Sequence, residues 1–492
     1  MKIFAISPHI FSPVIVFFLF QFVPNQGPAL LNAAEAGAAK LDVKKCAHPQ
    51  TTGAVDCGTY TVFENRAKKQ GREIALNITI LRALGANPEP DAVFVLAGGP
   101  GAGATMSARR YNEHPLREKR DIVLVDQRGT GKSNPLHCEL PASDENIQGY
   151  LENVFELETF IECREALAEK ADLTQYTTPI AVDDFDEVRA ALGYEKVNLI
   201  GGSYGTRAAL VYMRRHGEHV RTAILNGVAA VQNKNPLYHA RDAQLALEEI
   251  FEDCQNDQSC QAAFPNLKEE FEAVLARLAE RPARVKVTHP ATGEEVEVLL
   301  SRDAFAEALR VMMYSTSASR TVPLLIRQAY EGDYSPFATS GVRRNRGIRG
   351  FLAMGLLLSV VCASDMPRIS EEEIVTYTNG TFLGDGRVRS QKAVCEIWPS
   401  GEVAEDFGEP VNADNPTLLL SGVFDPVTQP EWGEITAKHL PNSLHLTAPA
   451  AHGVGGSCIQ EIIIKFVESG SLTGLKTDCV DLMKAPPFRL PE

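Results

Sequence analysis

The sequence predicts an α/β fold: a mostly parallel central sheet covered by helices, with a mainly helical insertion placed before its last strands. Three observations carry that prediction. The runs Val93-Phe94-Val95-Leu96-Ala97 and Ile122-Val123-Leu124-Val125 are short, continuous and apolar between glycine-rich turns, as strands buried on both faces are. Strands of this kind alternate with helical stretches, the arrangement of a parallel sheet with helices on its faces. Sheet periodicity then lapses after Gly227 and resumes only at Pro416-Thr417-Leu418-Leu419-Leu420-Ser421.

Taken in order, Glu73 to Leu84 places Ile74, Leu76, Ile78 and Ile80 on one face, the period of a half-buried strand. The two apolar strands follow. Asp184 to Gly193 is a short amphipathic helix closed by glycine, and Val197-Asn198-Leu199-Ile200 begins the next strand at once. Arg207 to His216 has helical spacing, and Thr222-Ala223-Ile224-Leu225-Asn226-Gly227 is a further strand. In the insertion, Leu245 to Phe251 and Leu267 to Leu278 are helical, while Ala283 to Thr288 and Val296 to Leu300 make a hairpin turned at Pro290 to Gly293. Leu444-His445-Leu446 supplies the last strand. These limits divide the chain into 1–36, 37–227, 228–403 and 404–492: a signal segment, the first part of the sheet, a cap, and the rest of the sheet.

Chemistry enters at Gly201-Gly202-Ser203-Tyr204-Gly205, a Gly-x-Ser-x-Gly between strand and helix. A sharp turn there lifts a serine Oγ clear of the sheet, and the glycines let the strand and helix backbones approach. The first N–H groups of the helix face the reacting carbonyl. Ser203 is therefore the candidate nucleophile. Such a serine needs an acid and a base later in the chain. Asp425, in Gly422-Val423-Phe424-Asp425-Pro426, stands just past a strand; His452, in Ala450-Ala451-His452-Gly453, sits on a small-residue loop after the last one. His452 then takes the proton from Ser203, and Asp425 holds the tautomer. His439 falls on a predicted helix and His445 within a strand, so neither has a loop to move on, and His216 and His219 are expected to be solvated. The oxyanion donors are expected from Tyr204 and from Gly99 of Gly98-Gly99-Pro100-Gly101, Gly98 being next in line, since Pro100 has no N–H. Gly129-Thr130-Gly131-Lys132-Ser133 ends like a phosphate-binding loop, but Asp126 stands where that motif needs glycine.

The chain has 492 residues, 44% apolar and 23% charged, enough for a large core, and a net charge of −15. That balance excludes a basic footprint for nucleic acid and argues against adhesion to an anionic membrane surface, leaving small diffusible molecules as the expected partners. Lys2, the apolar run Val14 to Phe20 and Ala34-Glu35-Ala36 form a secretory signal with an A-x-A cleavage site. Pro13, Gln21 and Pro24 leave the run too short for a spanning anchor, so an exported protein starting near Gly37 is expected. Ten cysteines agree with export. Sequence does not fix their connectivity; nearest-neighbour pairing, 46–57, 138–163, 254–260, 362–395 and 458–479, is the simplest. None has zinc spacing, and no metal site is expected. Asn77-Ile78-Thr79 and Asn379-Gly380-Thr381 are sequons that matter only in a host that glycosylates.

With these residues placed, the chain resembles the exported prolyl- and tripeptidyl-aminopeptidases among the α/β-hydrolases, whose last segment is called TAP-like. The motifs that carry it are Gly98-Gly99-Pro100-Gly101, Asp126-Gln127-Arg128-Gly129-Thr130-Gly131-Lys132-Ser133, Gly202-Ser203-Tyr204-Gly205-Thr206-Arg207, Asp425-Pro426-Val427-Thr428, and His452-Gly453 followed by Cys458 and Cys479. The resemblance implies an α/β-hydrolase fold and release of an amino acid or short peptide from the N-terminal end of small peptides, without metal or cofactor. One departure is Ala97, where proline iminopeptidases carry histidine. Asp365 or Glu396, each beside a cysteine in the cap, is expected to anchor the substrate ammonium. An exported esterase or amidase with the same triad, and a silent binding protein that kept the fold, are the competing readings.

Overall fold

The computed structural model describes residues 41–47 and 51–491, so the predicted signal segment lies outside the described residues. Nine strands form one sheet in the order β1-β2-β3-β5-β4-β6-β7-β10-β11, and two form a separate hairpin, β8-β9. The strands are β1 (Leu41–Lys45), β2 (Val55–Phe63), β3 (Glu73–Leu81), β4 (Val93–Leu96), β5 (Ile122–Val125), β6 (Val197–Gly202), β7 (Val220–Asn226), β8 (Ala283–Thr288), β9 (Glu295–Leu300), β10 (Thr417–Gly422) and β11 (Ser443–Ala448). β1, β2 and β3 are antiparallel and lead to β5; from β5 to β11 every pairing is parallel.

Every residue of β4 and β5 is buried, as continuous apolar runs require when helices cover both faces of a parallel sheet. Each large apolar side chain so enclosed contributes about 1.5–3 kcal/mol. β6 lies between β4 and β7, with Leu96 opposite Gly201 and Asn226 opposite Gly202. A residue leaving β6 at its carboxyl end therefore emerges in the middle of the sheet, the usual place for a site in such folds. β10 and β11 continue the sheet on the β7 side, which brings the residues after them to the same edge.

The middle segment, expected as one cap over 228–403, divides between two cores. Helices His239–Asn256, Leu267–Glu280, Arg302–Met312 and Ser335–Arg349 pack with the β8-β9 hairpin around their own apolar cluster, which also takes in Tyr150, Leu151, Phe424 and Ala451. Helix Met354–Ser364 belongs to the main core instead, with all its residues buried among sheet side chains. Its sequence, Met-Gly-Leu-Leu-Leu-Ser-Val-Val-Cys-Ala-Ser, is apolar on all sides, so no face is left for solvent. The disulfide Cys362–Cys395 ties it to helix Gly386–Ile397. The other four disulfides are Cys46–Cys57, Cys138–Cys163, Cys254–Cys260 and Cys458–Cys479, the nearest-neighbour pattern throughout. Among the described residues no single helix is long and apolar enough to cross a membrane.

Candidate active site

Ser203 has φ 56° and ψ −126°, a backbone geometry that non-glycine residues rarely adopt. The surrounding backbone imposes it. The Ser203 N–H donates to Asn226 O at 3.0 Å, and Ser203 O accepts from the Thr206 N–H at 2.8 Å and the Thr206 hydroxyl at 2.7 Å. The elbow glycines are steric necessities: a Cβ on Gly205 would lie 2.0 Å from Leu96 O, and one on Gly201 would lie 2.4 Å from Gly205 O. The turn thus holds helix Tyr204–His216 against β4 and β6 while Ser203 faces outward.

Asp425 follows β10 and is fully buried. Its carboxylate accepts from the Val427 and Thr428 N–H groups, each at 2.9 Å, from the Thr428 hydroxyl at 2.6 Å, and from His452 Nδ1 at 2.8 Å. Nδ1 is thereby the protonated ring nitrogen of the neutral imidazole, which leaves Nε2 with the free lone pair. Burial opposes the charge on Asp425, yet the adjacent His452 and these hydrogen bonds outweigh it and hold the carboxyl below its usual range. The His452 ring lies over Gly227, where a Cβ would approach Cε1 to 3.3 Å. Gly227 directly follows Asn226, whose carbonyl holds the Ser203 N–H, so one short stretch of backbone brings Ser203 and His452 to the same cavity.

Asn226 does more with its side chain. Its Nδ2 donates to Val454 O and its Oδ1 accepts from the Val454 N–H, both at 2.8 Å. This pair of bonds clamps the loop bearing His452 to the end of β7. On the far side, the Tyr314 ring meets the imidazole edge-on at 5.0 Å. Neither residue is legible as functional in sequence, because a polar residue closing a strand and a tyrosine between helices have no motif of their own.

Tyr204 opens the helix after Ser203, so its N–H belongs to the unpaired first turn. Its side chain is buried and held by Gln127 Nε2 at 3.2 Å and the Thr178 hydroxyl at 2.8 Å. Gly98 and Gly99 both border the cavity. Gly98 abuts the nucleophile, since a Cβ there would lie 3.1 Å from Ser203 Cβ; Gly99 has φ +114°. The Asp126–Ser133 loop has a structural task. Asp126 accepts from the Thr105 N–H at 2.9 Å, Asn77 Nδ2 at 2.8 Å and the Lys132 N–H at 3.1 Å. A Cβ on Gly131 would lie 2.1 Å from that carboxylate.

Three sequence expectations are corrected. Asp365 does not face the cavity: it is fully buried and receives Arg207 Nη1 on both oxygens at 2.9 and 2.8 Å, Arg368 Nη2 at 3.1 Å and the Ser364 hydroxyl at 3.0 Å. Arg207 of the elbow helix is itself buried and needs that counter-charge. Glu396 is exposed on helix Gly386–Ile397 and does not border the cavity. His216 and His219 are not solvated but half-buried, bonded to Asp183 at 2.9 Å and Asp186 at 2.8 Å on the neighbouring helix Thr178–Ala191. Asp186, His216 and His219 bring ligand atoms within 4.8 Å of one another, but Arg189 and Tyr212 already bond Asp186, at 2.7 and 2.8 Å. Burial there is outweighed by these bonds, which pull the Asp186 carboxyl down to about 2. The cluster is an ion-pair network.

The cavity over Ser203 and His452 measures about 1320 Å³. It exceeds the roughly 300–1,000 Å³ of ordinary small-molecule pockets, which is room for several linked residues. Helices of the middle segment form much of its wall, through Glu307, Arg310, Tyr314, Arg349 and Arg387.

Residues 91–351 match the family described as alpha/beta hydrolase fold, and residues 381–479 match the TAP-like protein family. The chain is similar to serine protease Hip1 of Mycobacterium tuberculosis, 24% identical over 459 residues that cover 85% of this chain and 86% of that protein. It is similar to tripeptidyl aminopeptidase of Streptomyces lividans, 29% identical over 245 residues, 46% of each chain. It is also similar to proline iminopeptidase of Xylella fastidiosa strain 9a5c, 31% identical over 142 residues, 29% of this chain and 34% of that one. Among solved structures, proline iminopeptidase of Mycobacterium smegmatis overlays with a TM-score of 0.42 at 16% identity, covering 84% of this chain and 98% of that one. The match over 91–351 places the chain in the α/β-hydrolase family, with a C-terminal segment that matches the TAP-like protein family.

Proposed function

We propose that this protein is an exported serine aminopeptidase that releases short N-terminal segments from small peptides through an acyl-enzyme. The observation that carries the reading is the 2.8 Å bond between Asp425 and His452 Nδ1, beside the outward-facing Ser203 of the same cavity. His452 Nε2 takes the Ser203 Oγ proton as the hydroxyl attacks the carbonyl carbon. The oxyanion accepts from the Tyr204 N–H and from the Gly98-Gly99 turn, with Gly99 as the second donor. His452 then protonates the leaving amine, and water repeats the sequence on the ester. The large cavity favours an acyl portion of more than one residue. Five disulfides fit the oxidising space outside the cytoplasm.

With Asp365 and Glu396 out of reach, the cavity carboxylates Glu152 and Glu156, neither in an ion pair among the described residues, are the groups that meet the substrate ammonium. The test is turnover of prolyl, alanyl and Ala-Ala-Pro chromogenic amides beside an acetyl-blocked amide and a short-chain ester. Free-amine amides are the expected substrates, Ala-Ala-Pro the best of them, and Ser203→Ala removes about 10⁶-fold of the rate. Glu156→Gln raises KM for the free-amine amides and leaves that for the ester in place. Turnover confined to the ester or the blocked amide overturns the aminopeptidase reading.

A further inference from the structure

The wall of the cavity beside His452 is basic, although the chain as a whole carries −15. Arg310 bonds both oxygens of Glu307, and its Nη1 donates to the Tyr314 hydroxyl at 2.8 Å. Arg387 reaches the same carboxylate at 3.2 Å and lies 4.6 Å over the Phe155 ring. Arg349 donates only to the carbonyls of Gly149 and Glu152, at 2.7 and 2.9 Å. Glu307 therefore faces two guanidinium groups and feels a third, Arg349, which makes no ion pair among the described residues.

His239 completes the recess. It opens helix His239–Asn256, is 9% exposed, and borders the cavity. Its Nδ1 is buried without a hydrogen-bond partner. Burial, reinforced by Arg310, Arg387 and His452, holds its imidazole well below the ordinary value, so it is neutral and has one N–H to give. Burial also lowers the Arg387 guanidinium, to about 10, so it remains charged at neutral pH. Buried Arg310 and half-buried Arg387 thus share one carboxylate, and the neighbouring imidazole keeps a buried nitrogen without a partner, an arrangement that is costly to maintain in the absence of a further anion. A ligand anion satisfies them together.

We infer that the recess formed by His239, Arg310 and Arg387 binds a carboxylate of the substrate, with Tyr314 linking it to the catalytic imidazole. This rests on the peptidase reading, under which the carboxylate is either the free C-terminus of a short peptide or an acidic side chain near the scissile bond. Guanidinium groups suit either source, since their fork matches two carboxylate oxygens. His452 delivers its proton to the leaving amine, and Arg310 is one side chain behind it. A carboxylate held there fixes the leaving fragment while that proton moves.

The experiment compares kcat/KM for Ala-Ala-Pro-Ala, its C-terminal amide, and the amide of Ala-Ala-Pro-Glu, with wild type, Arg387→Gln and Arg387→Lys. Butyrate and hemisuccinate esters of one alcohol run in parallel. The expected result is a preference of about tenfold or more for the free acid over the amide, carried by KM. The acid-to-amide ratio falls toward one in Arg387→Gln and recovers in part in Arg387→Lys. A Glu amide that matches the free acid assigns the recess to side chains, and one that matches the Ala amide assigns it to the C-terminus. Equal wild-type rates on acid and amides overturn the inference and leave the peptidase reading standing. Cleavage of esters alone overturns the peptidase reading, and the recess then stands or falls on whether hemisuccinate is favoured over butyrate.

Discussion

Two opposing forces act on the imidazole of His452. Burial disfavours its charge, and Arg310 adds to that, but the carboxylate of Asp425 and its hydrogen bond outweigh both and raise the pKa above the ordinary 6.5. A base must be unprotonated to accept the Ser203 proton, so kcat/KM falls as pH drops through a value above 6.5. In Asp425→Asn the lifting force is gone, and the acid limb moves to lower pH while the rate falls by about 10⁴-fold. A wild-type limb below the ordinary histidine value contradicts the coupling. Asn226 is the positioning residue, since its two bonds to Val454 fix where that imidazole stands. Asn226→Ala lowers kcat by about 10²-fold with KM little changed, and slows labelling of Ser203 by a phosphonate in proportion. A fall in Tm alone, with normal labelling, reduces Asn226 to a structural part. The grouping of Ser203, Asp425 and His452 is legible in sequence because Ser203 has a motif and because Asp425 and His452 each follow a predicted strand. Asn226 was not, because its partner lies far along the chain and is a backbone group, which leaves no mark in sequence.

The elbow helix shows what an element contributes beyond its motif. Arg207, within the motif, borders the cavity but is engaged by Asp365 at the end of helix Met354–Ser364, with 4% and 0% of the two side chains exposed. That ion pair fastens the helix carrying the nucleophile turn to a helix of the middle segment. Removing one partner strands a buried charge, so Asp365→Asn costs about 3–5 kcal/mol of stability. Urea unfolding reports the loss, while KM for free-amine substrates stays near wild type; a large rise in KM without loss of stability would return Asp365 to a binding role. Sequence does not separate the two roles, because a carboxylate near a cysteine looks the same whether it faces a ligand or an arginine. Only the three-dimensional approach of Arg207 decides it. The strands β4 and β5 are plainer in sequence, because their continuous apolar runs, buried on both faces, leave one interpretation.

At the scale of the molecule, two apolar cores meet around one cavity, and the covalent links differ in what they join. Cys254–Cys260, six residues apart, closes a local turn within the second core. Cys362–Cys395, 33 positions apart in sequence, ties a main-core helix to helix Gly386–Ile397, which carries Arg387 into the cavity wall. All five pairings follow the nearest-neighbour pattern, which the sequence offers as the simplest choice without fixing it, whereas the division of the middle segment leaves no mark in sequence. Helix Met354–Ser364 is apolar on every side, and periodicity cannot say which core receives such a helix. Chain entropy makes the longer link worth about 4 kcal/mol and the shorter about 2 kcal/mol. Replacing Cys362 and Cys395 by serine therefore lowers Tm by several degrees more than replacing Cys254 and Cys260. It also loosens the cavity wall, so KM for the peptide with a free carboxylate rises in the first variant and not in the second. Calorimetry with matched kinetics on both variants measures this. Equal Tm losses with unchanged KM in both mean that the main core holds helix Gly386–Ile397 in place without the covalent link.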